Sequence, residues 1–388
     1  MRARDLSLVA AAGLAAWCLQ PSAVLSHETA KTTVTFEREI SRILTRKCLS
    51  CHAEQTIAFP LTTYEKTRSW ARAIEEEILS RHMPPWRAAP GYGLFANDAS
   101  LSTRELQLLV AWVEGNGPRN ATQKIIANID QFETADKDRL RRDHSRWELG
   151  TPAWTGELRA GTVKPGLGDH VRTTVLETGF AESKWVGGIE IRPADRRVVR
   201  ALVLTVEGTG QWLGSWTPWH GTVQLPERTA FRLPAAARIA VEAHYRSARE
   251  PVEDRTQVGL HFAAAPARCV SDLRLRAAAS GDGRVRAAAV LSADTRVLAL
   301  RPEVGSGIHT FEVRARTPDG ATRILLLVKD VLREWPTPYI LKAPVSLPRG
   351  TTLGATAYFT ASGAGSAVPE FEVTVSRDEE HGCGPITG

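Results

Sequence analysis

Cys48 and Cys51 are separated by Leu49 and Ser50, and His52 follows at once. Two thiols at this spacing add across the two vinyl groups of one porphyrin, and the adjacent imidazole is then held beneath the iron. A Cys-x-x-Cys pair also serves as a thiol redox couple or as half of a zinc site. Zinc wants a second pair of thiolate or imidazole ligands nearby, and the sequence has no second Cys pair. A redox couple sits at a strand-to-helix turn, whereas here the pair follows a helical pattern and enters a long loop. Covalent haem, one per chain, is therefore the expected cofactor, with Cys48 and Cys51 as attachment points and His52 as proximal ligand. Some thirty residues on stands His82-Met83-Pro84-Pro85-Trp86, and Met83 is the only methionine besides Met1. Met83 is the expected distal ligand; His82 is its rival, and a packed Met beside an open or water-ligated iron is the third alternative. Iron with His and Met on its two faces has no open position, which favours reversible one-electron transfer over oxygen chemistry.

The elements that must position these groups are helical at first. Phe36, Ile40, Ile43 and Leu44 fall on one stripe that delivers the chain to Cys48. A second helix is predicted over Thr67 to Leu79, ended by the Pro pair, which fixes φ and removes two backbone donors. A third opens at Ser102, with Glu105 three residues on as a capping box. These predict a small all-α haem domain over 33–120. A polar, charge-dense linker follows over 121–165. From about Gly166 the period becomes strand-like, with short β-rich runs at Arg197–Glu207, Arg238–Ser247, Thr256–Ala264, His309–Arg316, Thr322–Lys329, Thr351–Thr360 and Glu370–Ser376. Pro318-Asp319-Gly320 is a hairpin signal between two of them. The runs predict two tandem β-sandwiches, 166–270 and 271–376, before a tail over 377–388.

Arg2 and Arg4, then the apolar run Leu6 to Leu19 and small residues up to Ser26, read as a signal peptide over 1–26. A periplasmic or secreted location follows, which suits covalent haem and permits disulfides. Cleavage there would remove two Arg and one Asp, so the net charge of +6 falls only to +5. No basic run interleaved with aromatics appears after Leu101, so no nucleic-acid partner is expected, and nothing after the signal is long and apolar enough to span a bilayer. A redox partner protein is implied but not identified. Cys269 and Cys383 are left to pair with each other or to stay as separate thiols.

The haem stretch with its Met-Pro-Pro-Trp, followed by Tyr92-Gly93-Leu94-Phe95-Ala96-Asn97-Asp98, resembles the cytochrome c domain that precedes a copper type II, ascorbate-dependent monooxygenase-like region in bacterial secreted proteins. Thr178 to Val186, Glu190-Ile191-Arg192-Pro193 and Ala243-His244-Tyr245 resemble the β part of the same family. The resemblance implies a fold like that of the peptidylglycine monooxygenases, with two copper sites. Carried over by residue, most of the ligands are missing: Arg200-Ala201 stands where a His pair is needed, Pro302-Glu303-Val304-Gly305 where a His-x-His is needed, and no Met is left for the second copper. His244 remains as a vestigial ligand. No catalytic copper is then expected, and the sandwiches become a docking or scaffolding module behind an electron carrier. The alternative is a haem-coupled copper-dependent monooxygenase with a site rewired from His220, His244, His261 and His309. Trp212, Trp216 and Trp219 with His220 read as packing between sheets, or else as a ligand-binding lip.

Overall fold

The computed structural model describes residues 32–119, 146–159, 161–264, 266–278, 283–360 and 370–380. The expected signal segment, residues 121–145 of the expected linker and Cys383 lie outside these.

The body of the chain is β-sandwich. One nine-stranded sheet runs, in hydrogen-bonded order, through Trp154–Glu157, Gln257–Phe262, Lys184–Arg192, Thr229–Leu233, Arg268–Ala278, Glu370–Glu380, Thr295–Val304 and Tyr339–Leu347, with Thr222–Gln224 paired on Lys184–Arg192. Two four-stranded sheets complete the layers. The first comprises His170–Glu177, Arg238–Tyr245, Val199–Val206 and Trp212–Trp216; the second comprises Arg284–Val290, Thr352–Phe359, Ile308–Arg316 and Thr322–Lys329. Alternation places one face of each strand in a core, as at Ile239, Val241, Ala243 and Tyr245. Phe311, Val313 and Ala315 do the same for the second half.

Two expectations about architecture are corrected. The sandwiches are not tandem and separate, because Thr229–Leu233 pairs in parallel with Arg268–Ala278 through Arg268↔Thr229 and Cys269↔Ala230, which fuses the halves into one sheet. The seam is held by a buried carboxylate: Asp378, 0 % exposed, accepts from Arg268 Nε at 2.7 Å and from Arg296 Nη2 at 2.6 Å. Nor does a free-standing all-α cytochrome domain precede the β body. The five α-helices among the described residues are short, the longest being Thr103–Glu114. They share a small cluster around Ile40, Leu44, Leu109 and Trp112, but the segment between the last two is built into the β body. There Ala89 N donates to Leu327 O at 2.7 Å and Lys329 N to Arg87 O at 3.2 Å. Further on, Ala96 N donates to Ile340 O and Lys342 N to Leu94 O, each at 2.8 Å. Trp86 and Phe95 bury against Tyr339. No described helix is long and apolar enough to cross a membrane.

Locally, the predicted helices form with shifted ends. Ser102 caps Thr103–Glu114 in a capping box with Glu105. The middle helix starts earlier, at Tyr64, because Thr63 caps it, and it breaks at Trp70 into Tyr64–Ser69 and Ala71–Leu79. Pro318-Asp319-Gly320 makes the turn between Ile308–Arg316 and Thr322–Lys329, with Gly320 at φ +88°, a conformation that glycine takes without steric cost.

Asp272, on Arg268–Ala278, is pushed up to about 6 from 3.8 by burial, although it accepts from Trp212 N at 2.5 Å. The folded state therefore binds the proton more tightly than the unfolded chain, so stability falls as pH rises from about 4 to 6 and stays reduced above. Asp272→Asn keeps the acceptor and removes the buried charge. It is expected to stabilise the protein by about 1 to 2 kcal/mol above pH 6 and to change nothing below pH 4. Urea midpoints of the two proteins across pH 3.5 to 8 check this; a gap independent of pH refutes it.

Candidate functional site

The residues singled out around Cys48 come together on one cavity of about 430 Å³, which lies between the helices and the β body. Helix Ser41–Lys47 ends at Cys48, whose N–H donates to Leu44 O at 2.8 Å; the short helix Leu49–His52 then carries Cys51 and His52. The loop behind them folds back, with Ala58 N on Cys51 O at 3.0 Å and Leu61 N on His52 O at 2.7 Å. Because the Phe59 carbonyl can only accept, His52 Nδ1, 2.9 Å away, carries the proton. The Nε2 lone pair is then available to a metal, with ring orientation fixed by the carbonyl. Burial lowers the His52 pKa, which keeps the imidazole neutral, and the Phe59 carbonyl opposes this. Phe59 packs edge-on against the ring at 4.8 Å and stacks on Trp70 at 4.3 Å.

Burial also pushes Cys48 up to about 12 and Cys51 up to about 11. A nucleophilic redox pair needs the opposite shift. Both are free thiols lining the cavity. Met83 lines it as well, 39 % exposed, with its N–H on Glu77 O at 3.1 Å just past helix Ala71–Leu79. His82 is not among the lining residues; its Nδ1 stands 3.2 Å from Ser80 Oγ and 3.6 Å from Glu77 Oε2.

The roof of the cavity is what sequence reasoning missed. Arg200, Trp219, Arg246 and Trp335 reach it from the β body. The register between Val199–Val206 and Arg238–Tyr245 shifts at Arg200, and such an irregularity re-aims a side chain. Its guanidinium lies 5.4 Å over Trp335. Arg246 Nη1 donates to Ile57 O, and Arg196 Nη2 to Ser50 O at 2.9 Å, so both tie the Cys48–His52 loop to the sheets. Trp219 Nε1 and Arg200 Nε are buried without a hydrogen-bond partner among the described residues. The only signal in the sequence was the arginine density of Arg196-Arg197-Val198-Val199-Arg200. The Trp cluster accordingly divides. Trp212 and Trp216 are core, whereas Trp219 is a lip of the cavity, 5.6 Å from Trp335.

The copper-side histidines stay apart. His244 Nε2 is paired with Glu242 at 2.7 Å and His261 Nε2 with buried Glu190 at 2.8 Å. His309 is exposed beside Thr310, and burial pushes His220 down to about 4. Among the described residues, no three of His, Cys, Asp and Glu gather as a metal site. The expectation of a monooxygenase-like β region is corrected on this ground, and the copper site rewired from His220, His244, His261 and His309 that the alternative reading needs is not assembled among the described residues. Cys269 is disulfide-bonded.

No family model matches the chain, and no curated protein matches it. Solved structures with some likeness include a viral capsid protein and a glycosylasparaginase. The major capsid protein P2 of bacteriophage PM2 is 11 % identical, covering 60 % of this chain and 98 % of that one with a TM-score of 0.29. PNGase F, a glycosylasparaginase from Flavobacterium meningosepticum, is 9 % identical, covering 58 % and 95 % with a TM-score of 0.27. At these scores neither bears on function. The resemblance to a cytochrome c domain fused to a copper monooxygenase-like region is thus corrected: no family model and no curated protein supports it, and the mainly β architecture with short helices departs from it.

Proposed function

We propose that the chain is an exported electron carrier that holds one haem covalently through Cys48 and Cys51, with the β body serving as roof and docking module. The observation that carries this reading is the single apolar-walled cavity onto which both thiols, His52 and Met83 converge. Its volume falls within the usual range for a cofactor site, about 300 to 1,000 Å³, and its donor set fits the group. His52 offers Nε2, Met83 offers a thioether from another loop, and Trp219 Nε1 and Arg200 Nε are unpaired donors suited to acidic substituents of a porphyrin. Bound there, haem supplies reversible one-electron chemistry. The protein's own part is to fix the imidazole through Phe59, to exclude water with Leu44, Ile78, Trp219 and Trp335, and to clamp the loop through Arg196 and Arg246. Export is supported by the charged and apolar N-terminal run and by the disulfide at Cys269.

Met83→Ala tests the distal side. Purified protein is expected to show the near-infrared charge-transfer band of Met-ligated ferric haem, and the variant to lose it while keeping its covalent haem. An unchanged spectrum in Met83→Ala removes Met83 from the site and points to His82 or an open position.

A further inference from the structure

A second cavity of about 480 Å³ lies between the two halves of the β body and shares Pro85, Arg200 and Trp335 with the first. Four of the nine buried side-chain nitrogens and oxygens that lack a hydrogen-bond partner among the described residues belong to its lining: Arg87 Nε, His170 Nε2, Arg200 Nε and Arg301 Nε. A buried donor without a partner costs the desolvation of that group, so their concentration on one cavity marks a place where acceptors are wanted.

Charge selects the acceptor. Most of the lining charges are already matched: Arg200 with Asp169 at 2.8 Å, Arg301 with Glu303, and His244 with Glu242 at 2.7 Å. Arg333 and Glu334 are exposed at the rim. Arg87 alone is left inside with no carboxylate in ion-pair range among the described residues. Below these groups the lining is apolar, with Val203, Phe311, Val328 and Tyr339 all buried. An arginine without a carboxylate partner over an apolar floor fits an amphipathic anion.

We propose that this cavity binds a small organic carboxylate, its head on Arg87 and the free Nε edge of Arg301, its apolar body on Phe311 and Val328. The inference stands on this cavity alone and does not need haem in the neighbouring one. A carboxylate could also come from the porphyrin next door by way of Arg200, and the experiment separates the two sources.

Calorimetric titration of the full-length haem-loaded protein with benzoate, hexanoate and succinate is expected to give saturable millimolar or tighter binding of at least one acid. Benzyl alcohol, of the same shape as benzoate but neutral, should bind at least about tenfold more weakly than benzoate, the size of a charge-assisted hydrogen bond. Arg87→Gln should weaken the binding acid about tenfold, and Arg87→Lys should restore part of the loss. The Cys48→Ser/Cys51→Ser protein, made in cells starved of haem, should bind the same acid equally well, so failure of the haem reading leaves this one standing. The proposal is overturned if none of the three acids binds, if benzyl alcohol binds as well as benzoate, if Arg87→Gln has no effect, or if only the haem-free protein binds. Should Arg87→Gln fail to fold, the benzoate and benzyl alcohol comparison on unaltered protein decides alone.

Discussion

Cys48→Ser/Cys51→Ser is expected to yield protein from which every trace of haem leaves on acid–acetone extraction, whereas the unaltered chain keeps its colour through the same treatment. The difference is all or none because thioether bonds survive unfolding and coordination by His52 and Met83 does not. Each single Ser variant retains one thioether and should keep partial colour, with its pyridine haemochrome band shifted by the one vinyl left unreacted. The measurement is the pyridine haemochrome spectrum before and after extraction, on protein made in cells able to attach haem outside the cytoplasm. Colour that washes out of the unaltered chain, with both thiols then open to alkylation, would defeat the covalent reading outright.

Asp378→Ala is expected to cost about 3 kcal/mol or more of stability. The carboxylate is fully buried and accepts from two arginines on different strands, Arg268 and Arg296. Deleting it takes away the buried carboxylate that both guanidiniums share, and breaking a buried ion pair from one side costs several kcal/mol. Asp378→Asn keeps an acceptor and should cost less. Urea unfolding of the three proteins at neutral pH checks the order; a loss under about 1 kcal/mol for Asp378→Ala would mean that water reaches the seam and replaces the carboxylate.

The same residue explains why the end of the β region was hard to read. The strand-like pattern of the sequence breaks after Ser376, because Arg377, Asp378, Glu379 and Glu380 look like a solvated tail, yet the strand runs on to Glu380. Arg268–Ala278 hides in the same way: its charged residues pair across the sheet with Glu372 and Asp378, and alternation of apolar and charged groups then no longer signals which face is wet. A continuous apolar run bounded by turn and charged residues, such as Thr322–Lys329, is legible to the residue. At the site, Cys48, Cys51, His52 and Met83 were readable because their chemistry is tied to spacing along the chain. Arg200, Trp219, Arg246 and Trp335 were not, because they reach the cavity only through a sheet that joins distant segments. Arg200, which stands where the resemblance needs a His, takes its place in the fold in the wall between two cavities.

The segment that leads from Met83 to the last helix lies along the outermost strand of two different sheets, Thr322–Lys329 and Tyr339–Leu347. An outermost strand with unmatched amides recruits any extended chain nearby, so this segment also acts as a guard. Material expressed without it would present two bare rims and should self-associate.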